Sequence, residues 1–152
     1  MKELTEIQAQ LKAPKNQFNA FGKYKYRSCE DILEALKPLL LAQKCHLTIT
    51  DDIVHIGDRY YIRATAKLSN GTESIEVSAM AREAADKKGM DDSQITGSTS
   101  SYARKYALNG LFLIDDTRDA DATNDHGKAA AATTETPPEK ISYATANDDF
   151  GI

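Results

Sequence analysis

Three stretches near the middle of the chain alternate apolar and polar residues with a period of two. Residues 46–54 place Leu47, Ile49 and Ile53 on one side. Residues 59–68 set Tyr60, Ile62, Ala64, Ala66 and Leu68 against Arg59, Tyr61, Arg63, Thr65 and Lys67. Residues 72–81 bring Ile75, Val77 and Ala79 to one face. Strict alternation is the signature of a half-buried strand. The connections are too short for a crossover, and Asn70-Gly71 is a two-residue hairpin signal, so the three strands form an antiparallel meander. Its inner face is apolar, and one side of its outer face is basic.

Helical patterns flank the meander. Leu4, Ile7 and Leu11 share a helical face, and Ala13-Pro14 ends that helix because a residue before proline is pushed out of the α region. Ser28 is a good N-cap, followed by Glu30 and Asp31 in the first turn. The helix it opens carries Ile32, Leu33, Leu36, Leu39 and Leu40 as a core-facing stripe. Pro38 inside it predicts a kink or a lost hydrogen bond. Lys23-Tyr24-Lys25-Tyr26-Arg27 alternates basic and aromatic residues, as a short strand or extended loop. A small-residue helix is predicted from about Ser93 or Ser98 to Asn109, with Gly110 after it and an apolar run over Leu111–Ile114.

The 152 residues suffice for about one domain. The fold class is therefore α+β: a three-stranded antiparallel meander packed by helices, spanning residues 1–121. Beyond it, residues 122–152 read as a disordered acidic tail with a hydrophobic tip. The charge divides accordingly. Residues 1–114 hold 16 Lys and Arg against 14 Asp and Glu, while residues 115–152 hold 3 against 9. The net charge of −4 thus conceals a slightly basic body, and local patches, not totals, bind phosphates. No apolar stretch approaches the roughly 20 residues of a membrane span. The polar N-terminus is no signal peptide. Cys29 and Cys45 stand in no metal or redox spacing, which fits a reducing, cytoplasmic setting, and the scattered histidines predict no zinc site.

The segment Gln94–Leu108 is the most informative for chemistry. It is a Gly/Ser/Thr-rich entry into a helix, where backbone N–H groups can hold a phosphate. No Walker loop occurs, so ATP is not implied. Tyr102 and Tyr106 lie four apart, with Arg104 and Lys105 beside them. A small-residue helix packing closely on a sheet, its basic residues in solvent, accounts for the same pattern.

Several spaced blocks over roughly residues 14–121 resemble the Erf (essential recombination function) family of phage and prophage single-strand annealing proteins. They are Phe21-Gly22-Lys23-Tyr24-Lys25-Tyr26-Arg27-Ser28, Lys88-Gly89-Met90-Asp91, Gln94-x-Thr96-Gly97-Ser98, Ser101-Tyr102-Ala103-Arg104-Lys105-Tyr106-Ala107-Leu108, Gly110-Leu111-Phe112 and Ile114-Asp115-Asp116. The resemblance implies a β-β-β-α core like that of eukaryotic annealing recombinases, ring or filament assembly, and ATP-independent annealing in a bacterial host cell. It implies neither covalent chemistry nor a cofactor.

An annealing protein must grip phosphates and leave base edges free. Sequence-independent binding uses a positive groove with stacked aromatics. Three sets are candidates for one such groove: Lys23, Lys25 and Arg27; Arg59, Arg63 and Lys67; Arg104 with Lys105. Tyr24, Tyr26 and Tyr61 are the aromatic candidates. Cross-strand pairing, for example Arg63 with Glu76, is the competing explanation for the second set.

Two further readings concern the end of the chain. Asp115, Asp116, Asp119 and Asp121 suggest a metal-dependent nuclease, since clustered carboxylates bind Mg²⁺. They are nearly consecutive, however, which better fits a helix stop, a subunit contact or repulsion of DNA. The tip Asp148-Asp149-Phe150-Gly151-Ile152 resembles the acidic tails of bacterial single-stranded-DNA-binding proteins and would dock an exonuclease or a host replication or recombination partner. An adaptor module whose basic face binds protein is the remaining alternative.

Overall fold

The computed structural model describes residues 1–114. Helix α1, Lys2–Gln10, buries Leu4 and Ile7 and ends where Leu11 turns extended. Two short strands follow, β1 (Gln17–Asn19) and β2 (Tyr24–Tyr26), paired antiparallel with Phe18 opposite Lys25. The basic-aromatic run is therefore one arm of a hairpin whose other arm had no alternation to reveal it. Lys23 takes a left-handed φ of 53° in the turn. A Cβ at Gly22 would lie 2.3 Å from Cε1 of Tyr24, so a larger residue there has to displace that half-exposed ring.

Helix α2, Cys29–Ala42, opens with a capping box. The Asp31 N–H donates to Ser28 Oγ at 3.1 Å, and the Ser28 N–H donates to Asp31 Oδ2 at 2.8 Å. Ile32 and Leu36 are fully buried. Pro38 neither ends nor shortens the element, which runs four residues past it.

The meander is β3 (His46–Ile56), β4 (Arg59–Ser69) and β5 (Ser74–Arg82), in the order β3-β4-β5. Its registers are unbroken, from His46↔Ser69 to Ile56↔Arg59 and from Tyr61↔Arg82 to Ser69↔Ser74. The two-residue turn is Gly57-Asp58, with Gly57 at φ +62°. The Asn70-Gly71 connection is longer than its dipeptide suggests. Asn70 Oδ1 accepts from the N–H groups of Thr72 and Glu73, which draws four residues into the loop.

Helix α3, Asp92–Phe112, crosses the inner face of β4 and β5. Asp91 caps it, with Gln94 reciprocating. It extends beyond the expected stop. Gly110 is inside the helix, where a Cβ would lie 3.1 Å from Val77 Cγ1, and the apolar run forms the last turn. Leu113, not glycine, takes the left-handed cap position, and the Ile114 N–H returns to the Asn109 carbonyl. Ile62, Ala64, Ala66 and Leu68 of β4 share the core with Ala103, Ala107, Leu108, Leu111 and Phe112 of α3 and with Ile7, Ile32 and Leu36. The helices thus cover one face of the sheet and leave the row from Arg59 to Lys67 on the other.

Candidate nucleic-acid interface

Helix α3 buries Ile95, Thr99, Ala103 and Ala107, a four-residue repeat. Positions 102 and 106 are thereby turned outward, and both tyrosines stand about half exposed, their ring centroids 6.2 Å apart. The Lys105 ammonium lies 5.0 Å from the Tyr102 ring centroid and 5.9 Å from that of Tyr106. Such a cation is drawn to the negative ring faces. A single surface here presents positive charge and flat π faces together.

Two hollows flank this cluster, and Tyr102 lines both. On the β5 side, a cleft of about 390 Å³ is lined by Met80, Arg82, Lys87, Ser98 and Tyr106. On the α2 side, a smaller hollow of about 170 Å³ is lined by Tyr26, Arg27, Cys29, Ser101 and Lys105. The base of the β1-β2 hairpin and the exposed side of α3 therefore meet, and cations stand on both flanks of the tyrosines.

The three predicted sets do not form one groove. Lys23 and Lys25 are exposed on the hairpin, where Tyr24 and Tyr26 make an edge contact at 6.1 Å. Arg27 is only 7% exposed, a buried side chain rather than a displayed cation. Arg59, Tyr61, Arg63 and Lys67 share the outer row of β4, on the sheet face opposite α3. Arg63 donates to Asp52 on β3 at 3.2 Å. The register sets Glu76 opposite Lys67 and Met80 opposite Arg63, so the pairing of Arg63 with Glu76 does not form. Arg104 turns away from Lys105 toward β3, where it grips Asp51. That hydrogen bond raises the Arg104 pKa further.

The reading of Gln94–Leu108 as a helix entry whose N–H groups hold a phosphate also changes. The helix starts at Asp92 and Asp91 already caps the Gln94 N–H, so Gly97 to Ser101 lie past the entry, inside the helix. Ser98 and Thr99 hydroxyls donate to the Ile95 carbonyl, and Ser101 donates to that of Gly97. Of these residues only Thr99 is buried against the sheet, while Gly97 and Ser101 lie exposed. Arg82 and Lys87 join the surface unforeseen, and Tyr102 and Tyr106, noted for their spacing, join it as aromatics that the sequence reading had not counted among its candidates. The available signal was the i, i+4 tyrosine pair with a lysine between its members.

Cys29 and Cys45 are unbridged, and burial raises both thiol pKa values. Among the described residues, no group of three or more His, Cys, Asp or Glu is placed to hold a metal ion. No helix among them is long and apolar enough to cross a membrane. The cluster Asp115, Asp116, Asp119 and Asp121 and the tip Asp148, Asp149, Phe150 and Ile152 lie outside the described residues.

A meander followed by a long helix across its inner face, with a lysine seated on a tyrosine pair, defines a β-β-β-α domain with one basic-aromatic surface on its helix. The chain belongs to the ERF superfamily, whose family model matches residues 1–148. It is 64% identical over 123 residues to the Essential recombination function protein of Salmonella phage P22. That match takes in 81% of this chain and 58% of the relative, so the chain spans well under two thirds of the protein it resembles. No solved structure matches the chain.

Proposed function

We propose that this chain binds single-stranded DNA and anneals complementary strands without ATP, as a phage recombination protein acting in an assembly of copies. The observation that carries the reading is Lys105 seated on Tyr102 and Tyr106, with Arg82 and Lys87 beyond them. Cations hold phosphates, and tyrosine faces stack bases whatever their identity. Base edges stay open to a second DNA strand, as a search for complementarity needs. Family membership and the relative's printed function in recombination support the same reading.

Annealing makes and breaks no covalent bond, so the proposed activity is not enzymatic. One copy holds a long DNA strand weakly, and linking copies raises avidity without any new kind of contact. An exonuclease or a host replication protein is the partner proposed for the tail.

The test is annealing of two complementary dye-labelled oligonucleotides by the purified chain, without nucleotide, at low and high salt. The expected result is acceleration that fades as salt rises, because phosphate contacts release counterions. A folded chain that does not accelerate annealing would overturn the reading. Divalent-dependent cleavage in the same tubes would favour the nuclease alternative.

A further inference from the structure

The β1-β2 hairpin stands apart from the meander, since its two strands pair only with each other. Its turn is fixed by its own side chains. The Gly22 N–H donates to Asn19 Oδ1 at 2.8 Å, and Asn19 Nδ2 donates to the Tyr24 hydroxyl at 3.2 Å. At the root, Gln17 Nε2 donates to Asp31 Oδ1 at 3.3 Å, which ties the hairpin to the first turn of α2. A lone two-stranded hairpin is marginal in water, so these contacts hold the turn in one shape. Phe21 takes no part in them. It sits in the connection between Asn19 and Tyr24 with its ring fully exposed.

A single exposed apolar side chain needs no explanation. Here Phe18 is 61% exposed and Tyr24 50%, three residues to either side of Phe21. The register sets Phe18 opposite Lys25, on one face of the hairpin, and Lys23 stands beside the tip. No Asp or Glu occurs between Glu6 and Glu30. Aromatic rings among cations, without a carboxylate, match the bases and phosphates of a nucleic acid. The root of the hairpin is continuous with the surface on α3, for Tyr26 and Arg27 line the hollow that Tyr102 and Lys105 share. Three residues of strand span roughly 10 Å, so a DNA strand held on α3 meets the tip within a few nucleotides.

We propose that this hairpin is a finger whose Phe21 ring inserts between neighbouring bases of the DNA strand held on α3, with Lys23 and Lys25 on the flanking phosphates. The inference rests on the proposed DNA binding and adds a second kind of contact to it. Tyr102 and Tyr106 lie along a helix and offer a base one flat face. A ring at a hairpin tip is open on both faces, so it enters a base step as a wedge and parts two stacked bases. The wedge interrupts the stack and keeps the bound strand from collapsing on itself, which leaves its bases open to a complement.

The chain contains no tryptophan, so Phe21→Trp places a single fluorescent reporter at the tip. Leu41→Trp is the control, since Leu41 is 81% exposed on the last turn of α2 and lines neither hollow. Both alter exposed side chains, and circular dichroism confirms that they fold. The probes are an oligothymidylate of about fifteen nucleotides, near the upper span of one binding site, and an abasic strand of the same length, which keeps the phosphates and lacks the bases. Anisotropy of dye-labelled probes reads binding, and tryptophan emission with unlabelled probes reads stacking. Oligothymidylate is expected to quench Phe21→Trp and not Leu41→Trp, and the abasic strand to bind without quenching either. Phe21→Ala is expected to bind oligothymidylate about tenfold more weakly and the abasic strand as the wild type does. Binding without quenching of Phe21→Trp, equal quenching by the abasic strand, or an unweakened Phe21→Ala would overturn the finger and leave the DNA reading standing. A wild type that binds neither strand would sink both. A Phe21→Trp emission that shifts to the blue as chain concentration rises, without DNA, would mean that the tip docks on protein and would also overturn the proposal.

Discussion

Arg104 on α3 holds Asp51 on β3 through Nε at 3.0 and 3.1 Å and Nη2 at 2.9 Å, with the Ser100 hydroxyl donating to the same carboxylate. Asp51 interrupts the core-facing row of β3 between Ile49 and Ile53. A carboxylate there needs a partner, and α3 supplies it. The contact ties the helix to a strand it otherwise barely touches. Replacing either residue by alanine is expected to cost about 1 kcal/mol, within the range for a well-aligned but partly exposed pair. A double-mutant cycle by urea unfolding checks this. Independent, additive losses would show that the two residues do not act together.

The same pair sets a pH dependence. Burial pushes the Asp51 carboxyl up, but hydrogen bonds from Arg104 and Ser100 and the guanidinium charge outweigh it and hold the pKa below its ordinary value. A carboxyl with a lowered folded pKa contributes stability above its unfolded value of about 3.9, and that contribution is lost as pH falls through the folded value. The stability advantage of the wild type over Asp51→Asn should therefore be constant from pH 7 to about pH 5 and shrink below about pH 4. Thermal melts in a series of buffers measure it, and a gap that widens in acid would contradict the assignment.

On the DNA side, the helix surface should matter more than the guanidinium beside it. Tyr102→Ala is expected to weaken single-stranded DNA binding by about 1–3 kcal/mol, the range for a lost stacking contact. Lys105→Gln should lower the slope of log affinity against log salt by about 0.7, the value for one phosphate contact on a single strand. Arg104→Ala should leave that slope unchanged. Fluorescence titrations at four salt concentrations distinguish the three.

The last turn of α3 anchors the domain although its sequence looks like an exit. Phe112 is 1% exposed, and Gln8 on α1 donates to the Leu111 carbonyl at 2.8 Å. Phe112→Ala should cost about 3–5 kcal/mol, a large part of the stability of a small domain. Chemical denaturation measures it, and a neutral Phe112→Ala would mean that α3 in fact ends at Asn109.

The meander was legible because its alternation runs for nine or ten residues at a time and a slip would turn every apolar side chain to solvent. The Ser28 cap was legible because the whole device lies within four residues. The extent of α3 was not. A helix that packs through Thr99, Ala103 and Ala107 has a buried stripe of small residues that scarcely differs from its exposed face, and Gly110 mimics a stop signal. Nor could local pattern show that Arg63 and Arg104 stand on opposite faces of one sheet. The basic residues of the candidate surface were half visible for the same reason: spacing reveals neighbours on one element, whereas Arg82 and Lys87 reach Tyr102 only through the packing of α3 on β5.

Ala64 and Ala66 on β4 and Ala103 and Ala107 on α3 are all fully buried in one core. Four methyl groups are the spacer between the helix and its sheet, so the gap between the two layers is set by the smallest side chains that still have a Cβ. Enlarging any one of them by itself has nowhere to go. Homologous chains should therefore vary at these four positions in a compensating manner, a gain in volume on the strand being met by a loss on the helix, and grafting one such position between relatives should fail where grafting the set succeeds.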